Sequence, residues 1–171
     1  MHNNKIGGGL PQSLGSLTRL ELLYAAPVPL RCCSAAPLLN THSPHRFLSD
    51  NSFTGPLPDL SALRQLQVLY AENNMLSGNF PDISRLVALE AIDVSNNLAI
   101  QGQLPATLPS LLKDLRAASC SLTGPVTTNL LRSITLQSLV INNNKLSGRV
   151  PDPSASVKVL NIANNEFGCV A

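Results

Sequence analysis

Four stretches of the chain lie over one another: LQVLYAENNMLSGNFP from Leu66, LEAIDVSNNLAIQGQLP from Leu89, LKDLRAASCSLTGPV from Leu112 and LQSLVINNNKLSGRVP from Leu136. A self-similar period in the twenties means that each unit is one coil of a solenoid, too small to bury its own apolar face and stable only against its neighbours. The residue that closes each run sets the register: Asn51, Asn74, Asn97, Cys120, Asn144 and Asn165 follow one another at steps of 23, 23, 23, 24 and 21. Upstream, Asn4 opens NNKIGGGLP, which matches NNMLSGNFP, and stands 47 residues before Asn51, two repeat lengths. The spacing predicts one further, degenerate coil between them.

Chemistry explains the closing residue. A chain that turns out of a short strand leaves N–H and C=O groups buried between coils, and each costs about 1–3 kcal/mol if unpaired. An inward Asn carries donor and acceptor together and can bridge its own loop to the next coil as a ladder. Asn4, Asn51, Asn74, Asn97, Asn144 and Asn165 are the expected rungs. Cys120 replaces one of them with a small thiol that bonds weakly, so that rung is expected to hold by packing.

Before each rung, apolar residues alternate at period two: Leu69 and Ala71, Ile92 and Val94, Leu115 and Ala117, Leu139 and Ile141, Leu160 and Ile162. That pattern predicts a short strand with one buried face. Stacking places these strands in one parallel sheet, whose outward column runs Tyr70, Asp93, Arg116, Val140, Asn161. After each rung comes a block such as Gly55-Pro56-Leu57-Pro58 or Gly78-Asn79-Phe80-Pro81, in which Gly permits an unusual backbone angle and Pro ends pairing. A brief second extended segment is expected there, before a convex turn.

This succession resembles the plant-type leucine-rich repeat, LxxLxxLxLxxNxLxGxIPxxLxxL. The resemblance covers nearly the whole chain outside residues 27–47. It implies an α/β repeat solenoid: a horseshoe arc with a parallel concave sheet, short second strands and 3-10 or irregular convex turns. The expected organisation is a single domain over 1–171 with about seven to eight coils and no complete caps. The chain has no Trp and no cap-like Cys spacing, and both ends fall inside repeats. A piece of a longer array is the expectation that follows.

Residues 27–47, PVPLRCCSAAPLLNTHSPHRF, keep the spacing and lose the motif. Registered against their neighbours, they put Ser43, Arg46 and Leu48 at strand positions, and their prolines argue against a central strand. An irregular or disordered coil is expected. Cys32-Cys33, His42 and His45 lie in or beside it, but adjacent cysteines rarely reach one tetrahedral ion, so no metal site is expected. A bridge from Cys120 to Cys169 would span two coils, beyond ordinary disulfide reach, which leaves Cys120 as a buried rung. Gly7-Gly8-Gly9 lacks a following Lys-Ser/Thr, and Gly8 falls on the repeat glycine. No nucleophile, base and orienting acid recur together, so catalysis and cofactors are not expected.

Charge narrows the partners. A net charge of +2 with 12 Lys and Arg scattered through the repeats makes no basic stripe, so nucleic acid is not an expected partner. No run of about 18 apolar residues spans a membrane. The start lacks a secretory signal, and no Asn-x-Ser/Thr sequon occurs. The expected binding face is concave, with Tyr70 and Arg116 as hot-spot residue types and Glu72, Asp93, Ser138, Asn142 and Asn161 as polar contacts. The resemblance implies a protein or peptide partner and a place in the ectodomain of a receptor-like kinase or receptor-like protein on the outer side of the plasma membrane. A free-standing interaction protein, similar to the polygalacturonase inhibitors, and a non-functional remnant are the alternatives.

Overall fold

Two short strands per coil, stacked in register along the chain, build the molecule. The computed structural model describes residues 7–20, 22–24 and 51–168. One sheet has six strands, Leu22–Tyr24, Val68–Tyr70, Ala91–Asp93, Asp114–Arg116, Ser138–Val140 and Val159–Asn161. The other has seven: Gly7–Gly9, Ser52–Pro56, Met75–Asn79, Ala99–Gly102, Ser121–Gly124, Lys145–Gly148 and Glu166–Phe167. Every pairing is parallel, as stacked coils of a solenoid require. The horseshoe architecture implied by the sequence is the one present.

The middle residue of four of the first strands fills the core. Leu69, Ile92, Leu115 and Leu139 are fully buried, and Leu76, Ile100, Leu122 and Leu146 of the second strands meet them from the other side. The convex side is closed by tight turns in which Leu63 N–H donates to Leu60 O at 2.9 Å and Leu86 N–H donates to Ile83 O at 3.0 Å. Asp59 and Asp82 start two of these turns by accepting from Ser61 N–H and Ser84 N–H, both at 2.9 Å. Those bonds favour the ionised carboxylates and hold both below the ordinary range. One turn is instead an α-helical turn, Thr128–Leu131, capped by the Thr127 hydroxyl. Its sequence carries no repeat signal that announces a helix.

Three of the Asn rungs, Asn97, Asn144 and Asn165, are four-point clasps, and Asn74 takes Phe53 N–H and gives to Ala71 O and Glu72 O in the same manner. Asn97 Oδ1 accepts from Leu76 N–H at 2.9 Å, while its Nδ2 donates to Ala71 O at 2.9 Å, Val94 O at 3.0 Å and Ser95 O at 3.3 Å. Asn144 and Asn165 repeat this set against Leu122 and Leu146 N–H. The bridge runs to the preceding coil, where the expectation was the following one: the side chain leans back over the strand its own coil has just left.

Cys120 departs from the pattern, and its neighbour departs with it. Its Sγ contacts Val94 O at 3.4 Å and Ala118 O at 3.6 Å, and it is a free, buried thiol whose pKa burial pushes up to about 11. The amide it would receive, by analogy with Leu76, is Ile100 N–H. That amide donates instead to Asn97 O at 3.0 Å. The coil after Asn97 has one residue more before its glycine than the coil after Asn74, and the resulting kink supplies the acceptor that a thiol does not. Leu98, like Met75 after Asn74, is exposed to solvent.

Positive φ falls on the residue just before each rung: Asn73, Asn96, Ser119, Asn143 and Asn164 lie between 52° and 58°. Asn tolerates this region because its short side chain bonds locally. These residues form a second, exposed ladder, in which Asn96 Nδ2 donates to Asn73 Oδ1 at 2.7 Å and Asn164 Nδ2 to Asn143 Oδ1 at 2.7 Å. In the second strands, Gly78 has φ 85°, and a Cβ there would sit 3.1 Å from Pro56 Cβ, so the repeat glycine answers to both angle and space.

Among the described residues, no helix is long and apolar enough to cross a membrane. The irregular coil expected at 27–47, with Cys32, Cys33, His42 and His45, lies outside the described residues, as do Asn4 and Cys169.

Candidate functional site

The third position of each first strand points away from the core, and strand pairing fixes which of these residues are neighbours. Tyr70 is opposite Asp93, Asp93 opposite Arg116, Arg116 opposite Val140 and Val140 opposite Asn161. At roughly 4.8 Å per strand the five side chains span about 19 Å along the concave face. Tyr70, Asp93 and Val140 are half-buried, and Arg116 and Asn161 are exposed.

Two members of the column also serve the backbone. Asp93 Oδ1 accepts from Ser95 N–H at 2.9 Å, and Asn161 Oδ1 accepts from Ala163 N–H at 3.3 Å. Each thereby ties the turn that leaves its strand. Arg116 Nη2 reaches Asp114 Oδ1 only at 3.8 Å, with both side chains largely in water, so that pair contributes little. Glu72 and Asn142 lie two residues beyond the column at its rim, both half-buried. Ser138 is different from what its type suggests: it is 7% exposed, and its Oγ has no hydrogen-bond partner.

Burial raises the Asp93 carboxyl above the ordinary carboxylate value; the Ser95 hydrogen bonds and Arg116 pull it down without overcoming that. A carboxyl with a higher pKa folded than unfolded holds its proton longer in the folded chain. Stability therefore falls as pH rises from about 4 through the raised value, and the penalty stays above it. Asp93→Asn keeps an oxygen for Ser95 N–H and removes the charge. Its melting temperature is expected to exceed the parent's at pH 7, with the gap closing below about pH 4. A gap of the same size at both pH values would refute this account of Asp93.

Away from this face, Phe80, Pro81, Asp82, Gln103, Pro105 and Thr107 line a shallow recess at the start of a convex turn. Among the described residues, no group of three or more His, Cys, Asp and Glu side chains is arranged to hold a metal ion. The exposed Asn ladder was not anticipated from sequence, although the doublets Asn73-Asn74, Asn96-Asn97, Asn143-Asn144 and Asn164-Asn165 carry its signal.

Comparisons with known proteins agree with this geometry. Residues 135–155 match the Leucine Rich Repeat family model. No curated protein matches the sequence. Among solved structures, PEPR1 with AtPEP1 is similar over 96% of this chain at 25% identity and a TM-score of 0.77. The Arabidopsis receptor kinase HAESA, solved with the peptide hormone IDA and the co-receptor SERK1, is similar over 98% at 27% identity and a TM-score of 0.76. The plant peptide hormone receptor RGFR1, in complex with RGF2, is similar over 94% at 28% identity and a TM-score of 0.68. The chain covers 21%, 25% and 27% of those three chains respectively.

Proposed function

We propose that this chain, a leucine-rich-repeat solenoid similar to plant receptor ectodomains, binds an extended peptide or protein segment along its concave sheet. The observation that carries the reading is the in-register run Tyr70, Asp93, Arg116: an aromatic, an anion and a cation held side by side on a stiff parallel sheet. Stacked coils present an extended concave surface that an extended partner can follow. Two further observations support it. Asp93 is a half-buried carboxylate fixed by Ser95 N–H, so the column holds its anion in one place between Tyr70 and Arg116. Val140, between Arg116 and Asn161 in the same register, adds a half-buried apolar side chain to the column. That solved structures of similar fold include receptors with a peptide hormone and a co-receptor supports a peptide or co-receptor as the partner, and a cell-surface receptor as the setting.

The test is selection of binders from a displayed random-peptide library, followed by affinity measurements on Tyr70→Ala and Arg116→Ala. Each substitution is expected to weaken a selected peptide by about tenfold to thirtyfold, the range of a hot-spot truncation. Peptides that bind both variants as tightly as the parent would place the binding face elsewhere.

A further inference from the structure

The strands on either side of residues 25–50 occupy places that belong to a single coil. Leu22–Tyr24 pairs directly with Val68–Tyr70, Leu23 opposite Leu69 and Tyr24 opposite Tyr70. Ser52–Pro56 pairs directly with Met75–Asn79, Gly55 opposite Leu76. Both therefore stack on the same coil, the one that runs from Val68 to Asn79, and in the register every other coil uses. A coil of its own between Tyr24 and Ser52 would need a strand between Leu22–Tyr24 and Val68–Tyr70, and these two are already in contact. On the far side, Gly7–Gly9 pairs with Ser52–Pro56, Gly8 opposite Phe53, the same offset again.

The sequence closes over the gap. Leaving out residues 26–48, which number 23, joins LELLYA to SDNSFTGPLP. The product, LELLYASDNSFTGPLP, lies over LQVLYAENNMLSGNFP with Leu, Tyr, Ala, Asn, Gly and Pro in their places and Asp50 where Asn73 takes positive φ. Asp is among the few residues that accept that angle. Asn4 and Asn51 then stand 24 residues apart, the step that separates Cys120 from Asn144. The omitted stretch holds Pro27, Pro29, Pro37 and Pro44, and of its in-phase strand positions Ser43, Arg46 and Leu48 only Leu48 is apolar.

We propose that residues 26–48 are an insertion within one coil, between the strands Leu22–Tyr24 and Ser52–Pro56, and that the repeat array is continuous without them. The match to a two-repeat spacing then reflects an insert of one repeat length, and the first strand belonging to Asn51 is Leu22–Tyr24.

The experiment compares the full chain with one lacking residues 26–48. Closing a short turn in place of a long one is expected to raise the melting temperature by about 3–7 °C, with strand content by circular dichroism unchanged. A lower melting temperature with strand signal lost would overturn the proposal. Hydrogen exchange on the full chain decides independently, including if the shortened chain does not fold. Amides of Leu22–Tyr24 and Ser52–Pro56 are expected to be protected together. Protection across Ser43–Leu48 with Leu22–Tyr24 exchanging freely would show a separate coil and refute the insertion.

Discussion

Asn97→Ala is expected to destabilise the protein by about 3–5 kcal/mol, the largest effect of any polar substitution considered. The side chain is fully buried and makes four hydrogen bonds, one received from Leu76 N–H and three given to Ala71, Val94 and Ser95 carbonyls. Alanine strands Leu76 N–H, at about 1–3 kcal/mol for a buried polar group. It also takes one donor from each of the three carbonyls, which keep a second partner, at about 0.5–1.5 kcal/mol for each lost bond. Native domains hold a margin of only about 5–15 kcal/mol. Cys120→Ala removes two weak thiol contacts and leaves no amide stranded, because Ile100 N–H has Asn97 O; about 1 kcal/mol is expected there. Denaturant melts of the two variants provide the comparison. Equal losses at Asn97 and Cys120 would mean that the rungs act through volume alone.

Leu115→Ala is expected to cost about 2–5 kcal/mol, as for other large-to-small changes in a closed core. Leu115 is fully buried in Asp114–Arg116, with a strand paired on each side. Because each coil contacts only its neighbours, a weak coil in the middle separates two shorter arrays. The melt is therefore expected to broaden or split as well as shift. Leu160 holds the same position in Val159–Asn161 but is 37% exposed, with a described neighbour on one side only, so Leu160→Ala is expected to cost under about 1.5 kcal/mol. A Leu160→Ala loss as large as that of Leu115→Ala would contradict this nearest-neighbour picture.

Much of this was legible in the amino-acid order because each coil restates the same physical demands. Leu69, Ile92, Leu115 and Leu139 repeat at strand phase, and one exposed residue after each of them gives the concave column, so fold and column could be read together. Three features resisted. The backward reach of the Asn clasps depends on how the loop leans, which spacing does not encode. The Asn97–Gly102 kink is visible as an extra residue, yet its tie to Cys120 appears only when Ile100 N–H is seen to bond Asn97 O. The burial of Ser138 reflects the close approach of its neighbours on the concave sheet, whereas its residue type and outward phase suggested a contact residue. The function of the column is the least legible part: Asp93 and Asn161 also tie turns, so their polarity alone does not mark a ligand.

The pairing around residues 25–50 has a consequence for how the chain can be altered. Both flanking strands seat against the same neighbour whatever number of residues separates them, so the register is held by the sheets and not by the connecting length. With residues 26–48 as the proposed insertion, the link between those two strands is a seam, where whole codons can be gained or lost without shifting a rung. On that proposal, the link after Leu22–Tyr24 is the natural point at which to graft a tag, a reporter or a second binding loop.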